Sequence, residues 1–415
     1  MGPENDEERH DAERAAEGGL RSGSPALSLR GRDPREAHRT ATTLECFFDL
    51  CFVIAVAQAS ACLNTAVTSG HWLTGALRFA LAFFTIWWAW MNFTWFASAY
   101  DPDDVPYRLT VLVQIAGSLI LAAGVPSAFE EGDLRVVTLG YVVLRTTLTT
   151  LWLRVARSDP PRRRTALRFA TGVTSCQVGW LGVLFLPVPA RLPAIIALIV
   201  AEVCVPVWAQ SAGMTPWHPH HIAERYGLFV LIVLGESVAA AAAAVRGALN
   251  RDHDTAALYL LAAGGLLLVF ALWWLYFARP AHTLLATSHQ AHRRRFTWAY
   301  GHYLILASAA AEGAGLAAYA QLITGRTGAP PLSAGGAVTV PAAVFLITVW
   351  AVHVRPHRRS RVEQLAFPAV AVAVLMAARS PAPALLAALA AAALVVVVTL
   401  VDRAERAERV RREGP

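Results

Sequence analysis

The run HIAERYGLFVLIVLGES, His221 to Ser237, places Glu224, Arg225 and Glu236 inside an otherwise apolar stretch of membrane-spanning length. A bare charge in hydrocarbon costs from ~3 to over ~10 kcal/mol, so such residues face a partner or a water-filled path. A second run, LECFFDLCFVIAVAQ from Leu44 to Gln58, does the same with Glu45 and Asp49. Together they read as an all-α, polytopic transmembrane bundle with a polar interior.

Composition agrees. Of 415 residues 56% are hydrophobic and 16% charged, where soluble domains carry about 25% charged residues. All 36 basic residues are arginine, and the net charge is +7. That excess could suggest nucleic acid, but the arginines sit at the ends of apolar blocks, where membrane orientation accounts for them. No nucleic-acid partner is expected; the lipid bilayer is. The cysteines (Cys46, Cys51, Cys62, Cys176 and Cys204) fall in apolar segments with no CxxC or Cys/His spacing. They read as small buried residues, and neither metal nor cofactor is expected.

Residues 1–43 are polar and rich in Gly, Ser and Arg, and read as a disordered cytoplasmic tail. Twelve apolar segments follow, at 44–63, 72–97, 107–126, 135–156, 166–186, 190–209, 222–245, 255–278, 296–321, 336–354, 364–379 and 382–401. Each is near the length that crosses ~30 Å of hydrocarbon as a helix. Residues 44–209 and 210–401 form two six-helix halves, and 402–415 a charged cytoplasmic tail. With the N-terminus inside, inner loops and tail collect most arginines, among them Arg162 to Arg164, Arg293 to Arg295 and Arg403 to Arg412. Outer loops hold Arg135, Arg191, Arg246, Arg251, Arg326 and Arg379. This positive-inside pattern puts both termini on the cytoplasmic side of the membrane.

The halves read as a six-plus-six repeat. Trp87, Trp88 and Trp90 match Trp273, Trp274 and Tyr276 at an offset of 186, and Arg108–Thr110 match Arg295–Thr297 at 187. Chance matches among Trp and Arg are the rival account.

Among the intramembrane charges, Glu45 and Asp49 share one helix face near the inner end, one turn apart. Arg225 enters from the same side at similar depth and is their candidate partner. Arg225 and Glu236 are eleven residues apart, so they share a face within ~20°. Gly227 and Gly235 mark close-packing positions, and Ser237 can bond back to its own helix. Arg145, Glu202 and Glu312 lie near mid-membrane with Glu236, three acids against one base. Either the surplus holds protons or a cation, as ion coupling requires, or each acid is protonated and bonded to a neighbour's backbone. His218, His220 and His221 form a loop that reads as pH-responsive or as helix-entry hydrogen bonding, and His220 with Glu224 is a weak metal pair. No catalytic motif points to an enzyme.

Glu45, Phe47, Phe48, Asp49, Leu50 and Phe52 resemble the early helix motif E-L-F-F-D-L-V-F-V of the bacterial low temperature requirement A (LtrA) family. His221, Glu224, Arg225, Tyr226, Gly227, Leu228, Phe229, Leu234, Gly235, Glu236 and Ser237 resemble its middle motif, H-x-x-E-R-F-G-L-F-x-I-I-x-L-G-E-S. Cys46 replaces an aliphatic residue and Tyr226 a Phe. The resemblance implies a multi-pass membrane protein over residues ~40 to ~400. The family's name describes a growth phenotype, so it lends no catalytic residue. The expected activity is transporter-like, with proton or cation coupling through Glu236 and an inner gate of Glu45, Asp49 and Arg225. A channel is one alternative, since the F-F-D run is similar to the Phe-Ser-Asp signature of a lysosomal-type potassium channel family. A non-transporting scaffold is the other.

Overall fold

The computed structural model describes residues 39–249, 255–279, 292–357 and 360–413, with residues 29, 31–33, 36, 282 and 285. Residues 1–28, most of the expected disordered tail, lie outside the described residues. Twelve long helices carry the chain, with no strand among the described residues. In order they are α1 (Thr43–Thr68), α2 (Trp72–Ala99), α3 (Val105–Glu130), α4 (Arg135–Ser158), α5 (Arg163–Val183), α6 (Val188–Gln210), α7 (Pro219–Leu249), α8 (Thr255–Phe277), α9 (His292–Ile323), α10 (Pro331–Val349), α11 (Arg361–Met376) and α12 (Pro383–Glu413).

Each expected segment is a helix, and eleven of the twelve are long and apolar enough to cross a membrane. The exception is α5. Arg163, Arg164 and Arg168 occupy its first turns, and Thr171, Thr174, Ser175 and Gln177 follow. It is held between its neighbours by Phe169 stacked on Trp152 of α4 at 4.2 Å and by Gly172 against Val205 of α6.

Two ends differ from the reading of the sequence. α12 runs on through the charged tail to Glu413, where Glu405 and Glu408 each precede an arginine by four residues, the favourable order on a helix. Before α1, the Thr42 side chain accepts from the Glu45 backbone while Glu45 accepts from Thr42 N, a reciprocal cap that satisfies two otherwise orphaned donors. Arg39 just before it is buried, donating to the carbonyls of Ala97 (2.8 Å) and Ser98 at the end of α2. The backbone N of Arg32 likewise bonds Ala99 O at 3.1 Å. This strap closes the bundle end at which α1, α7 and α9 begin.

Those three helices run parallel in fixed register. Glu45 meets His221 and Asp49 meets Arg225, both 176 residues apart. Ser60 and Asn64 donate to Ala310 O and Ala314 O, both 250 apart. Tyr226 contacts His302 and Ser237 meets Gly313, again at a constant separation. α9 is the central helix: 83% of its membrane-length stretch is buried, against 22% for α6. The close-packing glycine is Gly313 rather than Gly235. A Cβ on Gly313 would lie 2.7 Å from Ser237 Cα, whereas one on Gly235 would meet nothing within 4 Å.

Candidate functional site

The α1–α7 junction is built from Glu45, Asp49, His221 and Arg225, all at most 1% exposed. Arg225 grips Asp49 with Nε on Oδ2 at 3.0 Å and Nη2 on Oδ1 at 2.6 Å. Its Nη1 lies 2.8 Å from Glu45 Oε1, a close ion contact out of line for a hydrogen bond. Glu45 Oε2 accepts from His221 Nε2 at 3.1 Å, and Asp49 Oδ1 accepts a second bond from Trp90 Nε1 at 2.6 Å. Two carboxylates therefore face one guanidinium and one imidazole, and the cluster reaches neutrality when His221 holds its second proton. The long sidechain fork of Arg225 suits this two-carboxylate task.

The loop below is also ordered by hydrogen bonds. His221 N donates to His218 Nδ1 at 3.3 Å, so the His218 proton lies on Nε2, which donates to Glu36 O at 2.9 Å. Burial lowers the affinity of His218 for a second proton, and Arg39's charge adds to the effect. His220 and Glu224 take separate partners: the His220 ring lies 5.3 Å from the His282 ring, and Glu224 Oε2 accepts from Ala41 N at 3.2 Å. Among the described residues no three His, Cys, Asp or Glu side chains converge as metal ligands. Nearby in the α2–α3 loop, burial and then the Glu45 charge raise Asp101 to about 6.

Arg145 and Glu202 form a second cluster, across α4 and α6. The Glu202 carboxylate accepts from Arg145 Nη2 and Trp88 Nε1 (2.6 Å) on one oxygen. The other oxygen accepts from Tyr141 and Trp180, both at 3.2 Å. Four donors on three helices saturate the carboxylate. The charge pattern of the sequence picks out Arg145 and Glu202 individually but not the aromatic donors Trp88, Trp90, Tyr141 and Trp180, which carry no charge.

Glu312 and Glu236 join neither cluster. Glu312 is fully buried, and neither of its carboxyl oxygens meets a donor among the described residues. Glu236 is half-buried. It precedes Ser237 as Glu312 precedes Gly313, so both carboxylates flank the α7–α9 crossing. Ser237 Oγ is shared between Val233 O (3.1 Å) and Ala309 O (2.7 Å) across that crossing. Arg225 and Glu236 share a helix face but not an environment, because α1 meets α7 at residues 221 and 225 while α9 continues along it to residue 237. Arg78, exposed near the start of α2, donates through Nη1 to Phe129 O at the end of α3, at 2.5 Å. Also unforeseen is a buried set from α8, α9 and the turn after α10, toward the end of the bundle where α9 begins: His302 Nδ1 donates to Trp298 O (2.7 Å), Tyr276 Oη lies 3.1 Å from His302 Nε2, and His353 Nε2 lies 3.3 Å from it.

Apolar helices of spanning length around charges paired between helices define a polytopic integral membrane protein. The chain belongs to the family of bacterial low temperature requirement A proteins (LtrA), whose model matches residues 40–401. The family's two motif stretches are thus the two sides of one structure: Glu45 and Asp49 from the first are held by His221 and Arg225 from the second. A relative, the uncharacterized protein RA0937 of Rhizobium meliloti (strain 1021), is 28% identical over 275 residues, spanning 63% of this chain and 65% of that protein, just under two thirds of its length. No solved structure matches the chain.

Proposed function

We propose that the protein is a transporter-like carrier coupled to protons or a small cation. The observation that carries this reading is Glu312. A carboxyl group fully buried on the central helix, with no donor among the described residues, is costly unless it holds a proton or a cation. Glu236, across the α7–α9 crossing and only partly buried, supplies an exchange partner. The Glu45–Asp49–His221–Arg225 cluster then acts as a gate at the end of the bundle where α1 and α7 begin. In this reading the protein sits in the bacterial cytoplasmic membrane with both termini inside, as the arginine distribution supports, and its two six-helix halves rock about the α1–α7–α9 centre.

The test is ion flux into liposomes that hold the purified chain and a pH-sensitive dye, under imposed proton or cation gradients. Wild-type flux that Glu312→Gln abolishes and Glu236→Gln reduces is the expected result. Folded wild-type protein without flux, or flux unchanged in Glu312→Gln, overturns it.

The saturated Glu202 cluster favours a second reading, a non-transporting scaffold whose buried charges lock helices together. Under that reading Glu312→Gln changes thermal stability and no flux exists to lose.

A further inference from the structure

A groove of about 690 Å³ lies at the opposite end of the bundle from the strap, walled by α1, α2, α9, α10 and α11. Small side chains make it: Gly336, Ala311 and Ala337 leave the space that larger residues would fill, while Gly315 lets α9 pack against the α10 backbone, where a Cβ would collide with Ala337 O. Its wall is mostly apolar: Ser308 returns its hydroxyl to its own helix at Leu304 O (2.6 Å) and Ile305 O (3.0 Å), and Ser333 and Thr339 are the other hydroxyls on it, that of Thr339 meeting no partner among the described residues.

The groove has a direction. Trp72 opens α2, Leu332 opens α10 and Arg379 closes the turn after α11, so these three mark its shallow end. Leu304 and Val344 mark the deep end. From Leu332 to Val344 is twelve residues of helix, ~18 Å at 1.5 Å per residue, close to the ~15 Å of hydrocarbon in one leaflet. A Trp beside an Arg at the shallow end is the usual furniture of a membrane interface. Arg379 is exposed and approaches Met376 Sδ at 4.0 Å; among the described residues no acidic side chain lines the groove.

We propose that this groove is a binding site for an anionic phospholipid of the leaflet it faces, one acyl chain lying along α10 and the phosphate paired with Arg379. The length match selects an acyl chain, the opening toward the bilayer selects a membrane lipid, and the unpaired arginine selects a negative headgroup. The site is independent of the carrier reading, because binding can be measured without flux. It shares a wall with Glu312, which follows Ala311 on α9 and is turned ~100° from it.

The full chain in nanodiscs containing acyl-brominated phosphatidylglycerol or acyl-brominated phosphatidylcholine tests the proposal, because bromine quenches nearby tryptophan. The difference between wild type and Trp72→Phe isolates the Trp72 signal. It should be quenched at about fivefold lower mole fraction of the anionic lipid, the factor one arginine near a charged headgroup contributes. Arg379→Gln should remove the preference and keep the quenching. Gly336→Leu, at a position where a Cβ meets nothing within 4 Å, should fill the groove and remove the quenching in a folded protein. Equal quenching by both lipids in wild type, or quenching unchanged in Gly336→Leu, reveals ordinary surrounding lipid and overturns the site. Displacement by free stearic acid but not by unbrominated phosphatidylglycerol overturns the assignment to a phospholipid.

Discussion

Arg225 and Asp49 form a two-bond ion pair, 3.0 Å through Nε and 2.6 Å through Nη2, between parallel helices whose residues lie 176 apart in sequence. With Glu45 on its third nitrogen, Arg225 touches both acids of α1 at once.

Removing it should be severe. Arg225→Leu strands two buried carboxylates, and breaking a buried pair from one side costs ~3–5 kcal/mol. The paired change Arg225→Leu with Asp49→Leu should recover part of that loss. Thermal unfolding of the four proteins in one detergent, read as a double-mutant cycle, checks the coupling; additive losses would show that the pair does not interact. Arg225→Lys should also fail to rescue, since a single ammonium cannot span both carboxylates.

Trp90→Phe keeps an aromatic face toward Phe229, on which the indole stacks at 4.3 Å, but trims the ring and deletes the N–H that Asp49 accepts; Trp95→Phe makes the same trim. The expected cost is ~1.5–3 kcal/mol, because the acceptor is charged. Trp95→Phe deletes an N–H given to the neutral Tyr226 hydroxyl at 3.0 Å and should cost only ~1 kcal/mol. Equal melting shifts for the two variants would contradict the charged-acceptor account.

At the α7–α9 crossing, Gly313→Ala places a methyl 2.7 Å from backbone of Ser237 and should force the helices apart. Overpacking of this kind costs ~1–3 kcal/mol. Gly235→Ala meets open space and should be neutral or stabilising through helix propensity. Melting temperatures in the reverse order would show that the crossing is looser than its geometry.

Asp101 supplies a pH signature. Its folded-state value of about 6 lies above its ordinary 3.8, so the folded protein binds the proton more tightly than the unfolded chain. Its contribution is favourable below pH ~4 and is lost as pH rises through 6, by at most ~3 kcal/mol. Asp101→Asn should therefore melt higher than wild type at pH 7.5 and lose that advantage below pH 4, where the protonated Asp101 carboxyl is as uncharged as the amide. A constant difference across that range would remove Asp101 as the source.

The sequence by itself determined the twelve helices and their approximate limits, because a backbone in lipid must satisfy its own hydrogen bonds and the apolar blocks are local. It also foresaw the Arg225 partnership with Glu45 and Asp49, since charge, depth and side follow from position along a helix. The tertiary structure alone decided the fate of the other acids. Glu202, Glu236 and Glu312 read alike as mid-membrane carboxylates, yet Glu202 is saturated by donors from three helices, Glu236 is only partly buried and Glu312 is buried without a donor among the described residues. Those differences depend on which helix covers each face, and on neutral Trp and Tyr donors that no charge pattern reveals. Helix packing is a long-range property, set by small residues such as Gly313 at crossings whose partners lie far along the chain.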